Sequence, residues 1–216
     1  MPHFLRKFLR VFRPLIHKDK KEILKYPEIN LDDICGSKLG KGAVKECFRH
    51  KKYSDRCVKY ADIEFSRQIV REINYFNYLR KKGVQSDCVP KFYGAFRCKD
   101  KIGFIQECFL AKEDGGCFDS VCPLAKVANQ IELHNKVQQK LDDLKSELIT
   151  KNIIALDLHG SNIIFVSKNN IHRTVIIDGL GTQEAVPLPQ LFRPLGRLKI
   201  ERNWKRFLRV YPQFSK

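Results

Sequence analysis

The sequence predicts an α+β fold, sized for one compact domain of two lobes or for two very small ones. Three observations carry that expectation. Between residues 34 and 108, short β-like apolar runs surround a single segment of helical periodicity. Beyond residue 120 the order reverses, with helical spacing on either side of a short hairpin pattern. The chain has 216 residues, 43% of them hydrophobic, which is enough to bury a core.

Residues 3–17 read as a basic amphipathic helix. Phe4, Leu5, Phe8, Leu9, Phe12, Leu15 and Ile16 recur at helical spacing, Arg6, Lys7, Arg10 and Arg13 lie mostly between them, and Pro14 kinks or ends the run. Such a helix can lie in the headgroup layer of an anionic membrane or pack on the domain. Strands follow at Ile34–Leu39, Val44–Arg49 and Arg56–Tyr60. Ile69, Ile73, Phe76 and Leu79 then fall on one face of a helix over Ile63–Lys82, before two more strands at Phe92–Cys98 and Ile102–Cys108. Asp114-Gly115-Gly116 is a loop. A second helix is expected from Pro123 to Lys151, with Leu133, Val137, Leu141, Leu144 and Leu148 at three- and four-residue steps. Ile163–Val166 and Val175–Ile177, joined by a turn at Ser167–Asn170, form a hairpin. Pro187, Pro189 and Pro194 break the chain before a last basic helix around Leu198–Val210. The division is therefore 1–26 for the basic N-terminal helix, 27–108 for a lobe of five antiparallel strands and one helix, and 109–216 for a short helical lobe.

Charge and cysteine usage narrow the function. The formal net charge is +17, and residues 1–26 and 191–216 hold most of it, with eight Lys/Arg in each against two acids and one acid. The ends thus seek an acidic partner, whether anionic lipid, nucleic acid or a phosphorylated substrate, while the middle is nearly balanced. Phe4, Phe8, Phe12, Trp204, Phe207 and Tyr211 stand among those basic residues, but no nucleic-acid-binding motif accompanies them. Eight cysteines are scattered with no Cys-x-x-Cys pair, which argues against a thiolate metal site and for reduced thiols in the cytosol. No apolar run approaches the length of a membrane span, and basic residues interrupt any signal-peptide core.

The strongest chemical signal is Ile153-Ile154-Ala155-Leu156-Asp157-Leu158-His159-Gly160-Ser161-Asn162-Ile163-Ile164-Phe165, followed after the hairpin by Val175-Ile176-Ile177-Asp178-Gly179. A polar loop between apolar runs brings Asp157 and Asn162 together, and the next strand delivers Asp178 at its end. Two carboxylates and an amide oxygen are ligands suited to Mg²⁺. Upstream, Leu39-Gly40-Lys41-Gly42-Ala43-Val44-Lys45 joins two strands, where Gly40 and Gly42 can let the backbone approach phosphates. Phosphoryl transfer needs the phosphates held, their charge neutralised and the attacking hydroxyl oriented, and these pieces supply each task.

Asp-x4-Asn followed by a strand and Asp-Gly resembles the protein-kinase-like superfamily, and Asp157-Leu158-His159-x-x-Asn162 resembles its aminoglycoside, choline and lipopolysaccharide-sugar kinases most. The resemblance implies a two-lobe kinase-like fold with a truncated C-terminal lobe. It makes Asp157 the catalytic base or hydroxyl-orienting residue and Asn162 and Asp178 the magnesium ligands. Cys57-Val58-Lys59 is similar to the Val-Ala-x-Lys strand, so Lys59 would meet the α- and β-phosphates of ATP, with Glu72 on the next helix paired to it. Gln106-Glu107-Cys108-Phe109 would be the hinge, with backbone groups of Glu107 and Cys108 at the adenine. More closely, the chain resembles the YrbL family, bacterial proteins of the PhoP regulatory network. Its marks are Leu-Gly-x-Gly, Arg56-Cys57-Val58-Lys59, Arg71-Glu72-Ile73, Val89-Pro90-Lys91-Phe92-Tyr93-Gly94, Asn162-Ile163-Ile164 and Trp204-Lys205-Arg206-Phe207.

Several departures shape the expectation. Lys45 replaces the third glycine of the kinase loop and could contact phosphate itself. Only 38 residues follow Asp178, too few for the helical lobe on which protein kinases bind peptide. The expected activity is therefore an ATP- and Mg²⁺-dependent kinase acting on a hydroxyl of a small molecule or envelope sugar, cytoplasmic and peripheral at the inner membrane. The alternative is a non-catalytic pseudokinase regulator.

Overall fold

A computed structural model describes residues 24–130, 133–183 and 187–215, so the amphipathic helix expected at 3–17 lies outside the described residues. Five strands, β1 (Cys35–Lys41), β2 (Glu46–His50), β3 (Arg56–Asp62), β4 (Phe92–Cys98) and β5 (Lys101–Glu107), form an antiparallel sheet in the order β1-β2-β3-β5-β4. The central pair β3 and β5 buries Val58, Ala61, Ile102 and Phe104, which places Lys59, opposite Phe104 in register, deep in the sheet.

Helix α1 (Arg67–Lys81) lies beside this sheet and buries Ile69, Val70, Ile73, Phe76 and Leu79 along the expected stripe, with Glu72 among them. It begins later than the periodicity suggests, because Ile63–Phe65 is a 3₁₀ turn. Phe76 stacks on Phe92 with ring centroids 5.0 Å apart and tilts against Phe104 at 5.7 Å, fastening helix to sheet.

The second helix is shorter than expected. Ser120–Pro123 is a strand, β6, which pairs with β7 (Ile163–Lys168), itself paired with β8 (Ile171–Ile176). What reads as a hairpin is a three-stranded sheet. Pro123 sits on its edge strand, where a missing N–H is tolerated. A helical turn at Leu124–Val127 follows, and α2 runs only from His134 to Lys151. Its buried positions, Val137, Leu141, Leu144 and Leu148, are four of the five expected, while Leu133 is the half-buried cap before the helix. Asn169 and Asn170, at φ 50° and 63°, make the two-residue turn between β7 and β8, as asparagine permits.

The last helix, α3 (Arg193–Val210), starts before Leu198 because Pro194 occupies its first turn, where a proline is accommodated. Ile200, Trp204 and Phe207 are buried in the same core as Ile73, Leu141 and Ile154. Trp204 and Phe207 are therefore core residues, not exposed aromatics among the surface charges. All eight cysteines are free. Among the described residues no helix is long and apolar enough to cross a membrane.

α2 ends at Asn152 in the left-handed conformation, φ 53°. Its side-chain nitrogen donates to the carbonyls of Pro189 (3.0 Å) and Gln190 (3.2 Å), and α3 passes so close that a Cβ on Gly196 would overlap Asn152 Oδ1. Gly196→Ala is expected to destabilise the protein by about 1–3 kcal/mol in urea unfolding, because the overlap is with a buried, bonded group. Gly40→Ala, whose added Cβ meets nothing within 4 Å, is expected to shift stability by less than about 0.5 kcal/mol. Equal effects would refute this account of the helix contact.

Candidate active site

The polar loop after α2 is built on a buried backbone. Ile153, Ile154 and Ala155 are inaccessible, so their peptide groups need partners. The Ile154 N–H donates to the Tyr75 hydroxyl of α1 at 2.6 Å, and Asn203 Nδ2 of α3 donates to the Ala155 carbonyl at 2.8 Å. Leu156 N donates to Gly179 O at 2.8 Å and Gly181 N to Ile154 O at 2.9 Å. These bonds stitch the loop to the segment after β8. They set Asp157 beside Asp178 and Gly179, where a Cβ on Gly179 would lie 2.7 Å from Asp157 Cβ. Glycine is needed there twice over, since φ is +76°.

Asp157 itself is exposed. Asn162 Nδ2 donates to its Oδ2 at 3.0 Å and to its backbone carbonyl at 3.2 Å, so the Asp-x4-Asn spacing closes into a hydrogen-bonded loop. Farther along, Gly160 N donates to the Tyr211 hydroxyl at 3.0 Å, and His159 Nδ1 lies 3.0 Å from Ser161 Oγ.

Asp178 lies two residues past the end of β8 and enters from the other side. Its neighbour's carbonyl, Ile177 O, accepts from Lys59 Nζ at 2.7 Å and from Gln106 Nε2 at 3.4 Å. The Asp178 carboxylate accepts from the Lys45 ammonium and, at 2.6 Å, from the Gly179 N–H. Lys45 Nζ also donates to Glu72 Oε1 at 2.8 Å, and that oxygen receives Gly179 N at 3.3 Å. The glutamate expected to pair with Lys59 is thus bonded to Lys45 instead. The reason is reach: β3 holds Lys59 directly over Ile177, while Lys45 enters from the β1–β2 turn between the two carboxylates.

Burial and charge oppose each other here. Burial works against charge on Lys59, yet Asp178 and Glu72 outweigh it and leave that ammonium above its usual range. Burial dominates at Glu72 and pushes it up to about 7 despite Lys45. At Asp178 burial is overcome by Lys59, a hydrogen bond to Glu72 and Lys45, which hold the carboxyl well below the carboxylate range. Asp178 is therefore a carboxylate at neutral pH, and the proton affinity of the cluster resides on Glu72.

A cleft of about 920 Å³ opens over these groups, lined by Gly40, Gly42, Lys45, Lys59, Asp157, Asn162 and Asp178 together with Glu107 and Cys108. The structure thus brings together the anticipated residues, Glu72 standing behind Lys45 rather than on the wall. Glu107 presents its side chain elsewhere: Arg173 of β8 grips it with two bonds, 2.8 and 3.2 Å, which tie the two sheets. The Cys108 N–H donates to Asp55 O at 2.8 Å and the Glu107 N–H to Lys91 O at 2.8 Å, so neither amide is free for a base. The partnerships of Lys45, Arg173, Tyr75, Asn203 and Tyr211 had escaped sequence reasoning. Only Lys45 carried a signal, as the charge standing where a third glycine was expected.

Among the described residues no group of three His, Cys, Asp or Glu is placed to hold a metal alone. An ionised Asp178 and the Asn162 amide oxygen nevertheless fit Mg²⁺ shared with phosphates, which takes few protein ligands.

Among solved structures, the kinase domain of Mycobacterium tuberculosis PknI, in a double-mutant form, aligns with TM-score 0.46 and 9% identity. The alignment covers 70% of this chain, which spans 60% of that one. Two curated relatives described as uncharacterized protein YrbL, from Escherichia coli strain K12 and Shigella flexneri, are each 25% identical over 177 residues, covering 80% of this chain and 83% of theirs. The family described as PhoP regulatory network protein YrbL matches residues 29–212, and the chain belongs to that family.

Proposed function

We propose that the protein is an ATP- and Mg²⁺-dependent phosphotransferase that phosphorylates a hydroxyl of a small molecule or envelope sugar. The observation that supports this best is the convergence of Asp157, Asn162 and Asp178 on one cleft wall, with two lysines and a glycine-bearing turn above them. In this reading Asp157 orients the acceptor hydroxyl and takes its proton as the oxygen attacks the γ-phosphorus. The bond to the β-phosphate oxygen breaks, and ADP leaves with that oxygen's electron pair. Asn162 holds Asp157 through its amide nitrogen, and its oxygen, which accepts from Ser161 Oγ at the long distance of 3.5 Å, would serve the cation. Bound Mg²⁺ would neutralise phosphate charge, with Asp178 and Asn162 as its protein ligands. Lys59 secures the strand that presents Asp178.

A specific observation favours a second reading. Lys45 already satisfies the Asp178 carboxylate that would take the metal, as a pseudokinase regulator without transfer activity would allow. The two separate cleanly. For an active enzyme, Asp157→Ala is expected to lower phosphate transfer by roughly 10²- to 10⁴-fold while leaving nucleotide affinity near wild type. Transfer unchanged in that variant, or absent from the wild type with every acceptor class tried, would favour the regulator. Asp178→Ala is expected to abolish the dependence of ATP affinity on Mg²⁺. In thermal unfolding, the extra stability Mg²⁺ gives at saturating ATP would vanish, about 2.7 kcal/mol being the effect of ligand at a hundred times its Kd.

We also infer that the protein is cytoplasmic and works against an anionic bilayer. Leu191, Phe192, Leu195 and Leu198 are exposed near one another along the start of α3, and exposed Arg193, Arg197 and Arg202 stand among them. Co-sedimentation with phosphatidylglycerol vesicles is expected, weakened by salt and by Phe192→Glu. Equal pelleting with neutral vesicles, or no effect of the substitution, would remove this part of the reading.

A further inference from the structure

Of the three lysines that line the cleft, Lys41 is exposed and pairs with Glu46, and the two less exposed ones, Lys45 and Lys59, are not equivalent. Lys59 stands on the central strand, 7% exposed, and donates to the carbonyl just before Asp178. Its place in the sheet ties it to the geometry of that strand. Lys45 stands at the end of the glycine-bearing turn, where its own carbonyl accepts from Gly42 N at 2.8 Å. Its side chain is 10% exposed and lines the cleft, and its ammonium bridges Glu72, itself 2% exposed, and Asp178.

We propose that Lys45 is the glutamate-held lysine that binds the phosphates of the ligand, and that Lys59 is a positioning residue for Asp178. Three features support this division. An ammonium has three donors, and Lys45 gives two to carboxylates, which leaves one for an anion in the cleft. The two carboxylates restrain a long side chain that would otherwise lose rotamer freedom on binding, so Lys45 meets its ligand preorganised. Lys45 also shares its turn with Gly42 and lies near Gly40 at the end of β1, and added Cβ atoms there would meet respectively only the Lys45 carbonyl and nothing within 4 Å. A phosphate chain can therefore come close to the backbone here, in the same cleft that the ammonium lines.

The inference rests on the nucleotide reading only for the identity of the ligand. The test is calorimetric titration of the full chain with Mg-ATP and, separately, with inorganic tripolyphosphate, alongside thermal unfolding of each ligand-free protein. Lys45→Met is expected to weaken both ligands roughly 10- to 100-fold, the scale of one lost charge-assisted hydrogen bond, and Lys45→Arg to recover part of that loss. Lys59→Met is expected to lower Tm more than Lys45→Met does, with a smaller loss of tripolyphosphate affinity. If Lys45→Met does not fold because Glu72 is left uncompensated, Lys45→Met with Glu72→Gln removes the orphaned charge and carries the same expectation. Wild-type affinity for both ligands in the Lys45 variants would overturn the proposal, as would tripolyphosphate binding that depends on Lys59 alone. A wild type that binds tripolyphosphate but not ATP would end the nucleotide reading while Lys45 is still judged on tripolyphosphate. A wild type that binds neither would end both.

Discussion

The site depends on keeping two carboxylates, Glu72 and Asp178, close together in a partly dehydrated cleft. Taking charged groups out of water is costly, and two like charges side by side add repulsion, so the arrangement persists only with cations and N–H donors around it. Lys45, Lys59 and the Gly179 amide are those partners. They come from a turn, a central strand and the chain just past the second sheet. Helix, first sheet and second sheet must therefore assemble together before the cluster is satisfied, and the cluster in turn ties them to one geometry. Glu72 yields by holding its proton more tightly, and Asp178 remains charged.

A second constraint is backbone satisfaction. The apolar residues before Asp157 drive the loop's root into the core, where unpaired peptide groups would be expensive. Tyr75 and Asn203, from helices on different sides, provide the bonds that let a buried segment turn and emerge with an exposed aspartate at its tip. Arg173 and Glu107 add a bidentate link between the sheets at the opposite rim of the cleft. A carboxylate placed this way is held by elements with rotamers fixed in the core.

Much of this was legible in the sequence, and for physical reasons. The strands and α1 followed from period and turn residues, because burial on one face imposes the pattern directly. Asp157, Asn162 and Asp178 were readable because local spacing controls how a short loop and its neighbouring strand meet. Pro123 misled: next to an apolar stretch it reads as the first residue of a helix, whereas pairing with β7 made it the end of an edge strand. Strand pairing is a nonlocal choice that periodicity does not encode. The Glu72 partner was equally nonlocal. Lys45 and Lys59 sit at different depths in the lobe, and which ammonium reaches a helix carboxylate is set by the orientation of packed elements.

Helix α3 shows how the second half of the chain is used. Its inner face is core, through Ile200, Trp204 and Phe207, and its buried Asn203 bonds the root of the Asp157 loop. Just past its end, Tyr211 packs on Phe207 and receives the Gly160 amide at the loop's far side. A Cβ at Gly160 would overlap that hydroxyl, so glycine and tyrosine fit only as a pair. The helix thus holds the loop at both ends. Because its inner face is occupied in this way, His159 and Ser161 at the loop tip are left as the exposed part of the cleft wall on this side.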